Sequence, residues 1–254
     1  MINILIILVL IILINLLIKK LPEKENFSIC PIEQTYIVNL DKDKHRFNSI
    51  SKELKRENIN FKRFSAIFGK DLDLNSERCQ KFFSKKAIKE LKAGQMGCSM
   101  SHIILWEEIA TKNNDNIYMI LEDDAVLPKN FNKEVMKYIK EMPDNWDMLL
   151  LGANSLIGKK YSENLLYTDI SIKKNGNYGT YAYLIKPKSA QKLLKTCEKM
   201  DKTIDHYLNK NFYIKHNVFF CNPHFVSHNY DYVSNLVNRV RSKDASKNNI
   251  IKVI

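Results

Sequence analysis

Residues 116–128 read Asn116-Ile117-Tyr118-Met119-Ile120-Leu121-Glu122-Asp123-Asp124-Ala125-Val126-Leu127-Pro128, an apolar run that ends in three consecutive carboxylates and is stopped by a proline. Ile117 to Glu122 has the length and the large, β-branched content of a buried central strand in an α/β sheet. The acids then fall at the strand's carboxyl end, outside which open α/β sheets bind their ligands. Like charges this close together in a core require a cation to offset their repulsion and desolvation. Two readings stand on these residues alone: a divalent-metal site at the sheet edge, or a solvated acidic turn after a strand.

Strand alternation would send Glu122 and Asp124 to one face and Asp123 to the other. Hard oxygen ligands of that kind suit magnesium or manganese, which commonly bridge a protein carboxylate to phosphates. The diphosphate of a nucleotide sugar would fit such a site.

Upstream, Gln34 to Leu40 is a β-rich run, Asp41 is placed to cap a helix carrying Phe47, Ile50 and Leu54, and Phe61 to Ile67 is a second strand. Strand, helix, strand makes a βαβ unit with parallel pairing. There is no G-x-G-x-x-G and no P-loop lysine, so a dinucleotide or ATP site of those kinds is not supported. Residues 69–84 read as an excursion. Gly94-Gln95-Met96-Gly97-Cys98-Ser99-Met100-Ser101-His102 then opens a helix whose start offers amides to an anion, with His102 one turn inside. Taken alone, His102 fits a satisfied structural histidine as well as a site residue.

Downstream, Asn130 to Met142 reads as a helix and Trp146 to Leu151 as a strand. Residues 156–176 read as a loop over the site, with a short strand at Leu165 to Ile170. Gly179 to Ile185 returns to strand character, and Pro187 starts a helix with apolar residues at Ala190, Leu193, Leu194 and Cys197. In a second short helix, Ile204, Tyr207 and Leu208 form the apolar side and leave Asp205 on another face, a cleft acid or a surface acid. Phe212 to Phe220 is a late strand.

Residues 1–18, MINILIILVLIILINLLI, would make a helix roughly 27 Å long, about the thickness of a bilayer's hydrocarbon core. A membrane anchor over 1–20 is expected, followed by a linker over 21–33. No basic residue precedes the run and no convincing small-x-small site follows, which argues against a cleaved signal peptide. Lys19 and Lys20 place the rest of the chain on the cytosolic side by the positive-inside rule; a lumenal orientation stays open.

The net charge is +12, but lysine greatly outnumbers arginine and the basic residues are spread over the whole chain, so a nucleic-acid partner is not expected. A basic surface near an anionic membrane is the more economical use of that charge. Five scattered cysteines without a C-x-x-C pair argue against a disulfide scaffold. Cys221, His224 and His228 have spacings that suit zinc, although their apolar neighbours favour an ordinary buried strand.

Three ordered blocks resemble glycosyltransferase family 25, the lipopolysaccharide-biosynthesis and procollagen-galactosyltransferase group. They are YIVNLDKDKHRF (Tyr36 to Phe47), GQMGCSMSHIILW (Gly94 to Trp106) with ILEDDAVLP (Ile120 to Pro128), and GTYAYLIKPKSAQKLL (Gly179 to Leu194) followed by Asp205. The resemblance implies an α/β fold of GT-A type, a Rossmann-like mixed sheet flanked by helices, over residues 34–235, with 236–254 a basic tail. It implies a UDP-sugar donor, Mn2+ or Mg2+, and inversion at the anomeric carbon, with a glycan, a lipid-linked sugar or a hydroxylysine-type protein as acceptor.

On that analogy Asp124 is the most direct metal ligand, Glu122 supports it or the ribose, and Asn39, Arg46, Ser101, His102 and Asp123 lie around the donor. Asp205 is the candidate base. His228 stands where glutamine is expected and is a candidate third metal ligand. Two readings from other classes compete with this one: a non-catalytic carbohydrate-binding or adhesion protein on this scaffold, and a metal-dependent nuclease or phosphotransferase. Retention of all four acids speaks against the first, and the ordered blocks against the second.

Overall fold

The computed structural model of the chain describes residues 31–171, 176–229, 231–232 and 251–253. The expected anchor over 1–20 and the linker up to residue 30 lie outside the described residues. Among the described residues, no helix is long and apolar enough to cross a membrane.

The elements run β1 (Ile32–Asn39), α1 (Lys44–Arg56), β2 (Phe61–Ser65), a 3-10 turn (Gly69–Asp71), α2 (Glu77–Phe82), α3 (Lys85–Glu90), α4 (Ala93–Ala110), β3 (Ile117–Glu122), β4 (Ala125–Val126) and α5 (Phe131–Glu141). They continue as β5 (Met148–Leu150), β6 (Leu156–Lys160), β7 (Leu165–Tyr167), β8 (Ala182–Ile185), α6 (Pro187–Thr196), α7 (Ile204–Asn211), β9 (Val218–Cys221), β10 (Ser227–His228) and β11 (Ile251–Val253). Nine strands form one mixed sheet in the order β11-β6-β7-β9-β5-β8-β3-β1-β2, and β4 pairs with β10 apart from it.

The βαβ start is as expected. β1 pairs in parallel with β2 from Thr35↔Phe61 to Asn39↔Ser65, and Ile50 and Leu54 of α1 are buried one helical turn apart. On its other side β1 pairs in parallel with β3, Thr35↔Met119 to Val38↔Glu122. Ile117 through Leu121 are all buried, which is why β3 reads as an unbroken apolar run rather than an alternating one. β8 joins β3 antiparallel, Tyr118↔Ile185 to Leu121↔Ala182.

Some local expectations change. Asp41 does not cap α1. Its carboxylate takes the Arg63 guanidinium at 2.6 Å and the Ser65 hydroxyl at 2.8 Å, partners that the parallel neighbour β2 brings alongside. The excursion at 69–84 contains α2, whose first turn is capped by the Ser76 hydroxyl accepting from the Cys79 amide. Residues 156–176 are not simply a loop: β6 and β7 form an antiparallel pair, with Leu156, Leu165 and Leu166 buried. The late strand covers only 218–221; residues 212–217 turn, with Lys215 and His216 amides donating to the Phe212 carbonyl.

α4 packs along α6 and α7, burying Met100, Ile103 and Trp106 in a cluster with Leu193, Leu208 and Tyr183. Its start is pressed against the chain leaving β2. A Cβ on Gly97 would stand 2.6 Å from the Ile67 carbonyl oxygen and 2.7 Å from the Gly69 nitrogen, both backbone atoms. Gly97→Ala adds about 0.5–1 kcal/mol of helix preference. Pushing two backbone segments apart costs about 1–3 kcal/mol. A net destabilisation of about 1–2 kcal/mol is therefore expected in urea unfolding, and an unchanged midpoint would show that the crossing gives way freely.

Candidate active site

Three neighbouring parallel strands, β3, β1 and β2, end together, and a crevice lies beyond their carboxyl ends. The crevice there is open to solvent, with a cavity of about 100 Å³ at its base. Lys42 and Arg46 line it from the β1 side, Phe68 and Gly69 from the β2 side, and Glu122, Asp123 and Asp124 from the end of β3. Gly94, Cys98 and Ser101 of α4 complete the lining, so the start of that helix faces the cleft as expected.

The strict alternation expected of the acids does not hold. β3 stops at Glu122, and Asp123-Asp124 form a turn before β4, which lets all three side chains border one cleft. Asp123 is the most constrained of the three. One of its oxygens accepts from Asn39 Nδ2 at 2.7 Å and the other from Arg46 Nη1 at 3.3 Å. Burial pushes the Asp123 carboxyl up, and although Asn39 and Arg46 pull the other way, it stays above the ordinary carboxylate value.

The Arg46 guanidinium also lies over the Tyr232 ring, 4.8 Å from its centroid. Asn39 is 1 % exposed, accepts from Arg63 Nε at 2.8 Å and does not line the cleft. Its side-chain amide holds Asp123 in place.

Glu122 accepts from the Thr180 hydroxyl at 3.0 Å and lies 3.4 Å from His102 Nε2. His102 is not one turn inside its helix: α4 starts at Ala93, so His102 sits mid-helix and is fully buried. Its Nδ1 is 2.8 Å from the Tyr183 hydroxyl, which also accepts from Trp106 Nε1 at 2.9 Å. Ser101 accepts from the Ile67 amide at 2.8 Å and donates to the Gly97 carbonyl at 2.7 Å. It fixes the 66–69 wall of the cleft.

Asp124 is buried, and its carbonyl accepts from the Asn229 amide at 2.7 Å. That bond continues the β4–β10 ladder, in which His228 lies opposite Ala125. His228 is thus brought next to the acids, with its ring 5.0 Å from that of Tyr181. Asp123 is committed to Arg46 and Asn39, so Asp124 and Glu122 supply the hard-oxygen donors on the cleft wall. One or two carboxylates facing an open cleft fit a magnesium or manganese ion that takes its remaining ligands from water and phosphate. Cys221 lies on buried β9 and His224 accepts from the Ala153 amide at 3.2 Å; no metal-ligand group containing them occurs among the described residues.

Asp205 does not line this cleft. It sits in the first turn of α7, where one carboxylate oxygen accepts from the Thr203 hydroxyl at 2.7 Å and the His206 amide at 2.8 Å. Burial pushes this carboxyl up, but the hydrogen bonds from His206 and Thr203 outweigh it and hold Asp205 below its ordinary value. The His206 ring stacks on Tyr178 at 4.2 Å, two residues before the Thr180 that holds Glu122.

The cleft residues Lys42, Phe68 and Cys98, and the buried Thr180 and Tyr183 behind them, carry no role that the sequence assigns. Thr180 and Tyr183 belong to the GTYAYL block, but their partners are distant in sequence: Glu122 at the end of β3, 58 residues from Thr180, and His102 and Trp106 on α4, 81 and 77 residues from Tyr183. Cys98 lay in plain view inside its motif. Phe68 carries no periodic signal at all.

Residues 32–208, more than half of the chain, match the family model described as glycosyltransferase family 25 (LPS biosynthesis protein). A Xenopus laevis procollagen galactosyltransferase 1-B is 27% identical over 224 residues, covering 82% of this chain and 34% of the relative. Human procollagen galactosyltransferase 2 is 24% identical over 184 residues, 69% of this chain and 28% of the relative. The chain thus spans about a third or less of the length of these relatives. The crystal structure of a glycosyltransferase involved in glycosylation of the PBCV-1 major capsid aligns at 11% identity over 64% of each chain, with a TM-score of 0.33. The extent of the family match, together with a cleft built from the same blocks of sequence, places this chain in glycosyltransferase family 25.

Proposed function

We propose that the chain transfers a hexose, galactose or glucose, from a UDP-sugar to a hydroxyl group of a glycan, a lipid-linked saccharide or a hydroxylysine-type protein acceptor, with inversion at the anomeric carbon. The observation that carries this reading is the meeting of three carboxylates with Arg46 and Lys42 in one cleft at the ends of three parallel strands. A diphosphate needs both signs of charge there: cationic side chains to meet its oxygens, and acids to hold the divalent ion that neutralises the rest.

In this scheme Asp124, supported by Glu122, holds Mn2+ or Mg2+, and His228 is the neighbouring candidate ligand. The bound ion would supply positive charge to the departing diphosphate. Arg46 and Lys42 add charge at the same end, while Asn39 keeps Asp123 in place to orient Arg46. The acceptor oxygen forms its bond to the anomeric carbon as the carbon–oxygen bond to the diphosphate breaks. The acceptor's proton passes to a carboxylate on the opposite side, for which Asp205 is the candidate. The apolar segment 1–18 would anchor the enzyme to a membrane, on the cytosolic face by the charge of Lys19 and Lys20. A panel of UDP-hexoses with manganese and glycan acceptors tests the reading: UDP-galactose or UDP-glucose should be consumed, and consumption of neither would overturn it.

Phe68 has a place in this scheme. It is 39 % exposed at the rim of the cleft, with Lys42 Nζ 5.0 Å from its ring centroid. A flat apolar face beside a cationic floor is what a base attached to a diphosphate requires, and stacking contributes about 1–3 kcal/mol per base. Phe68→Ala is expected to weaken UDP binding roughly 5- to 100-fold and to leave inorganic pyrophosphate binding unchanged by calorimetry. Equal losses for both ligands would assign Phe68 to the shape of the cleft instead.

A further inference from the structure

We propose that Cys98, His102 and Glu122 form a second cation site, for a soft divalent metal such as zinc, on the floor of the cleft. It shares Glu122 with the hard-oxygen site at Asp124 but takes its other ligands from α4, and it does not depend on the sugar-nucleotide reading. Cys98 and His102 are four residues apart on α4, so their side chains share a face, and that face meets the end of β3. One ligand atom from each of the three residues lies within 4.8 Å of the other two.

The decisive atom is His102 Nε2. The residue is fully buried, and Nε2 makes no hydrogen bond although it lies 3.4 Å from a Glu122 oxygen. The ring cannot turn away, because Nδ1 is engaged by the Tyr183 hydroxyl at 2.8 Å, itself fixed by Trp106. The phenol oxygen has two lone pairs and can take both the indole N–H and an Nδ1–H. When Nδ1 carries the proton, Nε2 presents its lone pair toward the Glu122 carboxylate 3.4 Å away, with the Cys98 thiol in the same cluster, and a cation there would bind all three.

One ligand pair already has the spacing that a bound metal sets. Metal–ligand bonds of about 2.0–2.3 Å in a tetrahedron put neighbouring ligand atoms roughly 3.3–3.7 Å apart, and the His102–Glu122 pair is already at 3.4 Å. Thiolate and imidazole together select zinc over magnesium or manganese. The supporting contacts are present as well: Tyr183 behind His102 and the Thr180 hydroxyl on Glu122. Cys98 and Glu122 line the cleft, which gives the metal an entry path and leaves its fourth position facing the ligand space. On binding, the Cys98 proton is released to solvent and Glu122 is tied to the floor of the cleft.

Cobalt(II) is the probe, added to the full-length chain freed of metal and without any substrate. One equivalent should produce a thiolate-to-cobalt charge-transfer band with intense tetrahedral visible bands, and one equivalent of zinc should abolish both. Cys98→Ser should lose the charge-transfer band, while Asp124→Asn should keep it. Absence of the band in the native chain, its persistence in Cys98→Ser, or its loss in Asp124→Asn would each overturn the assignment.

Discussion

Asp124→Asn is expected to lower hexose transfer at least 100-fold, the scale on which removing one charge-stabilising group slows catalysis, while leaving the fold intact. The substitution preserves shape and keeps the main-chain bond from the Asn229 amide to the residue-124 carbonyl, so the β4–β10 ladder and His228 stay in place. What is lost is a negative charge on the wall of the cleft. Donor affinity and turnover should fall together, because the ion that Asp124 is proposed to hold acts on the diphosphate both before and during bond breaking. Asp205→Asn should behave differently. Asp205 lies outside the cleft lining, so its loss should lower kcat and leave the KM for the UDP-sugar unchanged. Steady-state kinetics on both variants checks the pair: full activity in Asp124→Asn would remove the metal assignment, and a raised donor KM in Asp205→Asn would remove Asp205 from the acceptor side.

The largest stability effect is expected at Arg46. Its guanidinium and the Asp123 carboxylate are both nearly enclosed, at 8% and 11% side-chain exposure, so Arg46→Met strands a buried carboxylate that keeps only its bond from Asn39. Breaking such a pair by removing one partner costs about 3–5 kcal/mol. The sign of the pH dependence follows from linkage. Asp123 already binds its proton more tightly in the folded chain than an ordinary carboxyl does, and losing Arg46 raises that affinity further. The folded variant therefore holds a proton that the unfolded chain has released, and its stability falls as pH rises from the ordinary carboxylate value, about 3.9, through the raised folded one. The deficit should be smallest in acid. Urea unfolding at pH 4.5 and 8 measures it; a deficit under 1 kcal/mol, or one equal at both pH values, would mean that the pair is solvated.

Much of the fold could be read from residues that act locally. Ile117 to Leu121 declares a strand covered on both faces, Pro187 starts its helix, and the run from Gln34 through Phe64 encodes a βαβ unit, because each of these signals depends on neighbours within a few residues. The acids at 122–124 were legible for the same reason. Their arrangement was not, since it turns on β3 ending at Glu122 rather than continuing through the aspartates. The depth of His102 in α4 was misjudged because Gly94 and Gly97 look like a helix start, whereas Gly97 is small in order to pass Ile67 and Gly69. Partners such as Thr180 for Glu122 and Tyr183 for His102 depend on strand pairing and on helix-to-sheet packing between distant segments, and no local pattern announces them. Ser101 lines the cleft as its motif position suggests, while its hydrogen bonds to the backbone around Ile67 and Gly97 could not be read locally.

Calorimetric titration of UDP into the metal-free chain, repeated with manganese, tests the central claim most directly. The cleft account predicts binding at least tenfold tighter with manganese, and no such gain in Asp124→Asn. UDP affinity that is the same with and without the ion, or a manganese effect that survives in Asp124→Asn, would contradict it.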